Sequence, residues 1–186
     1  MDKKKKLLDA ALKLFVEYGF HGTPTGTIAK AAGVANGTLF HYYPTKDELV
    51  LALYIDLKKR LNNYITENTS TETTLKAVLK GQYLSTLYWA LENKNEFKFM
   101  EQFSASPYLK LIASEAMEKH LKPLFALLKQ GVKDGHIKAL PIDFIFTMIT
   151  SHTFGVHQYL TSTKMSKAKQ HQLISDTFEL LWKMIS

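Results

Sequence analysis

Between Pro24 and Tyr43 two short runs with apolar spacing flank Gly33-Val34-Ala35, and the second run offers Asn36, Gly37, Thr38, His41 and Tyr42 together. An amide, a hydroxyl, an imidazole and a phenol are directional donors and acceptors, whereas an ordinary solvated helix face is built of Lys and Glu. This set is suited to reading another surface rather than to breaking bonds. The rest of the chain supplies no catalytic pattern: there is no G-x-S-x-G, no phosphate-cradling glycine loop and no H-E-x-x-H. The chain has no cysteine, which removes disulfides, thiolate zinc sites, iron–sulfur clusters and cysteine nucleophiles. His152 and His157 lie five apart, off a common helical stripe, so a metal pair is not expected. The reading is of a protein that is not an enzyme and carries no cofactor.

The elements that must hold these residues are helical throughout, and the expected fold class is all-α. Leu8, Ala11, Leu12 and Phe15 recur at i, i+3, i+4 and i+7, a first amphipathic helix with Asp2 as its cap and Gly19 as its stop. Thr23-Pro24 reads as an N-cap followed by a first-turn proline, opening a helix through Ile28, Ala29 and Ala32 that Gly33 ends. A third helix runs from Asn36 to Tyr43, stopped by Pro44. Thr45-Lys46-Asp47-Glu48 fits a capping box and starts a helix reaching about Asn68. Further helices are predicted near 72–93, 95–104, 108–134, 141–163 and 166–185. The stretch 144–163 lacks Lys, Arg, Asp and Glu, but its histidines, serines and threonines suit a buried helix better than a bilayer span.

Two short helices joined by a tight turn are the spacing of a helix-turn-helix. Five blocks extend it: Phe15-x-x-Tyr18-Gly19-Phe20, Thr23-Pro24-Thr25-Gly26-Thr27-Ile28-Ala29, Ala32-Gly33-Val34, Gly37-Thr38-Leu39-Phe40-His41-Tyr42-Tyr43 and Thr45-Lys46-Asp47-Glu48-Leu49. In this order and spacing, Leu7–Leu53 resembles the tetracycline-repressor (TetR) family of bacterial transcriptional regulators. Ala35 stands where the family commonly has serine, and Phe40 where tyrosine is frequent. The resemblance implies an N-terminal three-helix DNA-binding domain over 1–48 and a larger helical effector-binding and dimerisation domain over 49–186. It implies a homodimeric repressor, cytoplasmic, that leaves a near-palindromic double-stranded operator when a small molecule binds. The alternative is a dimeric regulator controlled by a protein partner.

The same resemblance lays the helix from Asn36 in the major groove. Asn36 and His41 become readers of base edges, Gly37 allows close backbone approach, and Thr38 touches a thymine methyl or a phosphate. Thr25, Tyr42 and Lys46 match phosphate-gripping positions. Two residues keep a second role open: Asn36 as a plain helix cap and Thr38 in a local backbone bond. Lys3 to Lys6 are either a solvated run or an arm near phosphate.

In the second half, Ile174, Phe178, Leu181 and Ile185 form one stripe, read as a seam for a partner helix together with Ile145, Ile149 and Val156. Tyr83, Trp89, Phe99, Met100, Phe103, Met117, Phe125 and His152 are candidate pocket residues for an effector, or else ordinary core. The net charge of +7 points weakly to an anionic partner. Arg60 is the only arginine, and no Arg or Lys lies between Val34 and Tyr43. The bidentate grip on guanine is therefore missing from the third helix, and an A·T-rich site is expected.

Overall fold

The computed structural model describes residues 2–69, 74–111 and 114–186, with the side chains of 111–120 outside the description. Its elements are α1 (Lys3–Tyr18), α2 (Thr25–Ala31), α3 (Asn36–Tyr42), α4 (Lys46–Asn68), α5 (Leu75–Glu92), α6 (Lys94–Ser104), a 3₁₀ turn (Pro107–Leu111), α7 (Ser114–Lys133), α8 (Ile142–Ser162) and α9 (Lys167–Ile185). No strand occurs among the described residues, so the all-α expectation holds. The helix predicted over 108–134 is divided: the 3₁₀ turn comes first, and α7 starts at Ser114.

Local signals account for most helix ends. Asp2 accepts a hydrogen bond from the Lys4 amide at 2.9 Å, and Gly19 closes α1 with φ 73°. Thr45 Oγ1 accepts from the Glu48 amide at 3.1 Å, the first half of the capping box. Thr23 behaves differently from its expected capping role. Its buried hydroxyl donates to the Leu14 and Gly19 carbonyls at 3.1 and 2.8 Å, and α2 starts from the Pro24 carbonyl instead. The threonine thus locks the α1–α2 connection, satisfying carbonyls at the end of α1.

Two compact units emerge. One comprises residues 1–60 and 93–113; the other comprises 61–92 and 114–186. In the first, α6 packs on α1, and a cluster of rings fills the space. Phe15, Phe20 and Phe99 lie with centroids 5.4 to 6.2 Å apart, and Tyr108 meets Phe20 at 5.1 Å. Leu49, Val50, Leu53 and Leu57 of α4 are fully buried or nearly so.

In the second unit α5, α8 and α9 pack on one another around Leu79, Leu87, Leu128, Ile145, Leu160, Ile174, Phe178, Leu181 and Ile185. This corrects the predicted partner seam. Ile145, Ile174, Phe178, Leu181 and Ile185 are each at most 2% exposed within a single chain, so their stripe is spent on the subunit's own core. Ile149 and Val156 are only partly buried, beside that core. Periodicity shows that a stripe is covered and not by what.

One polar cluster clamps α5 to α9. Glu179 takes Lys76 Nζ at 2.6 Å and Lys80 Nζ at 2.8 Å. Lys76 also lies over the Trp182 ring and Lys80 over Phe178. Hydrogen bonds from Lys76 and then Lys80 hold the Glu179 carboxyl down at about 2, against 4.5 for a free glutamate. A carboxylate with a depressed folded-state value stabilises the fold above the unfolded value and loses that contribution as pH falls through the folded one. Glu179→Gln is expected to melt below the parent at neutral pH, with the gap closing as the pH drops from about 4.5 to 2. Circular dichroism melts across that range check it; a gap independent of pH would remove the clamp from the stability of α5 and α9.

Candidate nucleic-acid interface

The geometry of residues 24–46 follows from two small helices crossing closely. Ile28 and Ala29 of α2 are buried, Ala32 beyond its end is nearly so, and Leu39 of α3 is fully buried between them. The turn is drawn tight by Gly33 N to the Lys30 carbonyl at 3.1 Å and Val34 N to the Ala29 carbonyl at 3.0 Å. Gly33 sits at φ 66°, a left-handed conformation that a side chain would resist. The Ala35 carbonyl then starts α3 by accepting from Thr38 N and Leu39 N. Tyr43 closes it, only 4% exposed, with burial first and then Asp56 and Asp2 pushing the pKa of its hydroxyl up to about 12. Its hydroxyl finds no hydrogen-bond partner among the described residues.

With Leu39 and Tyr43 turned inward, α3 presents the rest outward. Asn36, Gly37 and His41 are exposed, Tyr42 is 39% exposed, and Thr38 is half-buried. Asn36 does not cap: Ala35 occupies the N-cap with no side-chain bond, and the Asn36 amide makes no hydrogen bond among the described residues. The amide is free for an outside partner. A Cβ at Gly37 would meet nothing within 4 Å, so the chain's own packing does not require glycine there. The His41 and Tyr42 rings stand edge to face, centroids 5.4 Å apart. Thr25 at the first turn of α2 and Lys46 at the first turn of α4 are half-buried. Asp47 and Glu48 follow Lys46 in that first turn, so the helix end already has carboxylates and the lysine must supply the positive charge.

Phe40 was missed as a candidate. It is 41% exposed on α3, beside His41, and the signal available was its place in a block where only Leu39 and Tyr43 are spaced to be covered. An α-helix is the element that fits the ≈ 12 Å major groove of B-DNA. The outward face of α3, with a lysine at the neighbouring helix start, has the composition for base edges and phosphates.

The candidate effector residues are divided between the two units. Phe99, Met100 and Phe103 are at most 4% exposed in the unit that contains α1, α2 and α3, and Phe99 packs on Phe15 and Phe20. Tyr83 and Trp89 are equally buried in the other unit. Tyr83 donates to or accepts from Thr177 at 3.0 Å. Phe125 is half-buried against Phe146, ring centroids 5.3 Å apart. The Met117 side chain lies outside the described residues. His152 Nε2 bonds the Thr177 carbonyl at 3.0 Å, and burial lowers its pKa. It opens onto a shallow groove of ≈ 250 Å³ with Gly155, Val156, Tyr159, Leu173 and Thr177. Among the described residues, no three His, Asp or Glu side chains come together to hold a metal ion, and no helix is long and apolar enough to cross a membrane.

Comparison with known proteins agrees with this geometry. The family description "Bacterial regulatory proteins, tetR family" matches residues 7–53. The crystal structure of a protein from Shewanella sp. PV-4, assigned to the tetR family of transcription regulators, superposes with a TM-score of 0.91. It is 31% identical and spans 100% of this chain and 98% of that one. The fatty acid metabolism regulator protein of Bacillus subtilis is 23% identical over 188 residues, 99% of this chain and 94% of that protein. The structure of the transcriptional regulator FadR from Bacillus subtilis in complex with stearoyl-CoA shares the fold, with a TM-score of 0.74 at 21% identity over 98% of this chain and 99% of that one. The chain thus belongs to the TetR family of bacterial transcriptional regulators, and is a DNA-binding regulator rather than an enzyme.

Proposed function

We propose that the protein is a homodimeric repressor that releases a near-palindromic, A·T-rich operator when a small molecule binds to the domain spanning 49–186, with residues 1–48 binding DNA. The observation that carries the DNA half is the free, outward amide of Asn36 on a helix whose inner face is fully spent. Asn36 and His41 read base edges; Thr25, Tyr42 and Lys46 hold phosphate; Gly37 and Thr38 lie against the groove. With no arginine or lysine on α3, specificity rests on the Asn36 amide, His41 and the shape of the DNA.

The dimer reading rests on the outer faces of α8 and α9. Phe144, Tyr159, Leu180 and Met184 are 42 to 61% exposed there, and the groove beside His152 and Gly155 lies on the same helices. Large apolar side chains left outside by a filled core mark an interaction surface. A two-fold axis through it sets the two α3 helices apart by a fixed distance, suited to half-sites one or more turns of ~34 Å apart. A small molecule controls the regulator by favouring a dimer geometry that misses this spacing. The relatives support an acyl-chain effector: one is named a fatty acid metabolism regulator, and the FadR structure contains stearoyl-CoA. α4 runs from Lys46 at the DNA into the second unit, and is the element able to carry the change.

Three outcomes test this. Lys46→Ala should weaken binding to all sequences alike and flatten the slope of log K against log salt by about one unit; an unchanged slope in fluorescence anisotropy titrations removes its phosphate contact. Asn36→Ala should cost ~1–3 kcal/mol at one base pair per half-site, and a loss spread evenly over mutated operators would reject the base-reading role. Leu180→Glu should yield a folded monomer in light scattering, whereas a persistent dimer would place the interface elsewhere. Glutamate at Phe178 would not serve this test, because that side chain fills the subunit's own core.

A further inference from the structure

Of the seven residues of α3, Phe40 alone turns a large side chain without any polar atom to the outside. It is 41% exposed. Leu39 is fully buried and Thr38 half-buried, while the His41 and Tyr42 rings stand against each other. The Phe40 ring meets no other ring among the described residues. The outward neighbours of Phe40 have an amide, an imidazole and a hydroxyl with which to meet water, phosphate or a base edge. A phenyl has nothing for water or for phosphate, which takes cations and hydrogen-bond donors. It gains only by contact with carbon.

The place of Phe40 on the helix narrows what that carbon is. Phe40 follows Asn36 by four residues, so the two share one stripe of α3, about 6 Å apart along its axis. Side chains on a helix lean toward its N-terminus, which inclines the phenyl toward the turn that holds Asn36 and Gly37. There the surface is bare: Gly37 is exposed, and a Cβ added to it would meet nothing within 4 Å. The missing side chain leaves a gap bounded by Asn36, Phe40 and His41 that the packing of the chain does not need. Nitrogen and oxygen line the floor of the major groove, and the apolar group exposed there is the C5-methyl of thymine. Base pairs follow one another at about 3.4 Å, so a helix along the groove sets Asn36 and Phe40 over pairs within about two steps of each other.

We propose that Phe40 is a specificity-determining residue that reads thymine, its phenyl lying against the C5-methyl over the bare backbone of Gly37, next to the base contact of Asn36. This rests on the reading that α3 enters the major groove, and it adds the base that is recognised and the side chain that recognises it. The preference for A·T pairs then has a positive cause besides the lack of arginine on α3. An adenine under the Asn36 amide and a thymine under Phe40 make a contiguous A·T run in each half-site.

The test removes the methyl group from the DNA rather than a group from the protein. A duplex is selected by the full-length parent from a random-sequence library, and each thymine of its half-site is replaced in turn by deoxyuridine, which pairs alike but has no C5-methyl. In fluorescence anisotropy titrations at one salt concentration, one such replacement should weaken the parent about fourfold per half-site, the worth of one buried methyl group. Phe40→Ala should bind the thymine and uracil forms of that duplex equally, should bind random-sequence DNA as the parent does, and should melt with the parent in circular dichroism. The proposal is overturned if the selected half-site has no thymine, or if the parent tolerates uracil at every position. It is overturned also if Phe40→Ala still distinguishes the two forms, which assigns the methyl to another side chain. An equal loss on random-sequence DNA would place the ring on the sugar–phosphate backbone, and a clearly lower melting temperature would return it to the fold; either result overturns the proposal. When the parent selects a site but ignores the methyl, the role of Phe40 falls and the groove reading stands. When the parent selects no sequence, both fall.

Discussion

The ring cluster of Phe15, Phe20, Phe99, Phe103 and Tyr108 is the interaction on which the DNA-binding end depends. Helices α2 and α3 have seven residues each, far below the ~12–15 at which an isolated helix becomes even marginally stable in water. Between them they bury little more than Ile28, Ala29 and Leu39. They persist because α1 and the Thr23 lock present a finished surface to them, and α1 is itself held from behind by α6 through these rings. Helix α3 therefore owes its position to a segment some sixty residues further along the chain. Its outward side chains are left free of structural duty.

That arrangement places α4 in two roles. Its first half is buried in the first unit at Leu49, Val50, Leu53 and Leu57, and its last turns belong to the second. A helix with a continuous hydrogen-bond ladder transmits displacement along its axis better than a loop would. Lys46 stands at one end of this strut, with Asp47 beside the Tyr108 hydroxyl, whose pKa it raises after burial does.

Much of the fold was legible in the sequence because capping and turn chemistry are local. Asp2, Gly19, Gly33 and the Thr45–Glu48 pair each announce a helix end by their own side chain or backbone, and the structure uses all of them. The outward set on α3 was legible for the same reason: Leu39 and Tyr43 are spaced to turn in, so their neighbours must turn out. Longer-range packing was not legible. The stripe of Ile174, Phe178, Leu181 and Ile185 has the same spacing whether the covering helix belongs to this chain or to another, and it is α5 and α8 of this chain that cover it. The aromatic residues of α6 read as core before pocket, and the structure buries them, with Phe99 against Phe15 of α1 and Phe20.

The basic balance of the chain gains meaning only through placement. Of its 24 basic residues one is arginine, and that one is engaged with Glu96. Lys76 and Lys80 are spent on Glu179, and Lys138 caps α9 by donating to the Lys183 and Met184 carbonyls. Among the lysines left at the DNA-binding end are Lys3 to Lys6 and Lys13 on α1, Lys30 on α2 and Lys46 on α4, while α3 itself has none. Charge that surrounds a neutral reading face attracts phosphate without distinguishing bases. The proposed reading thereby divides affinity and specificity between different residues. Under the proposed reading, salt should act on the first and leave the second, assigned there to the Asn36 amide and His41, largely in place.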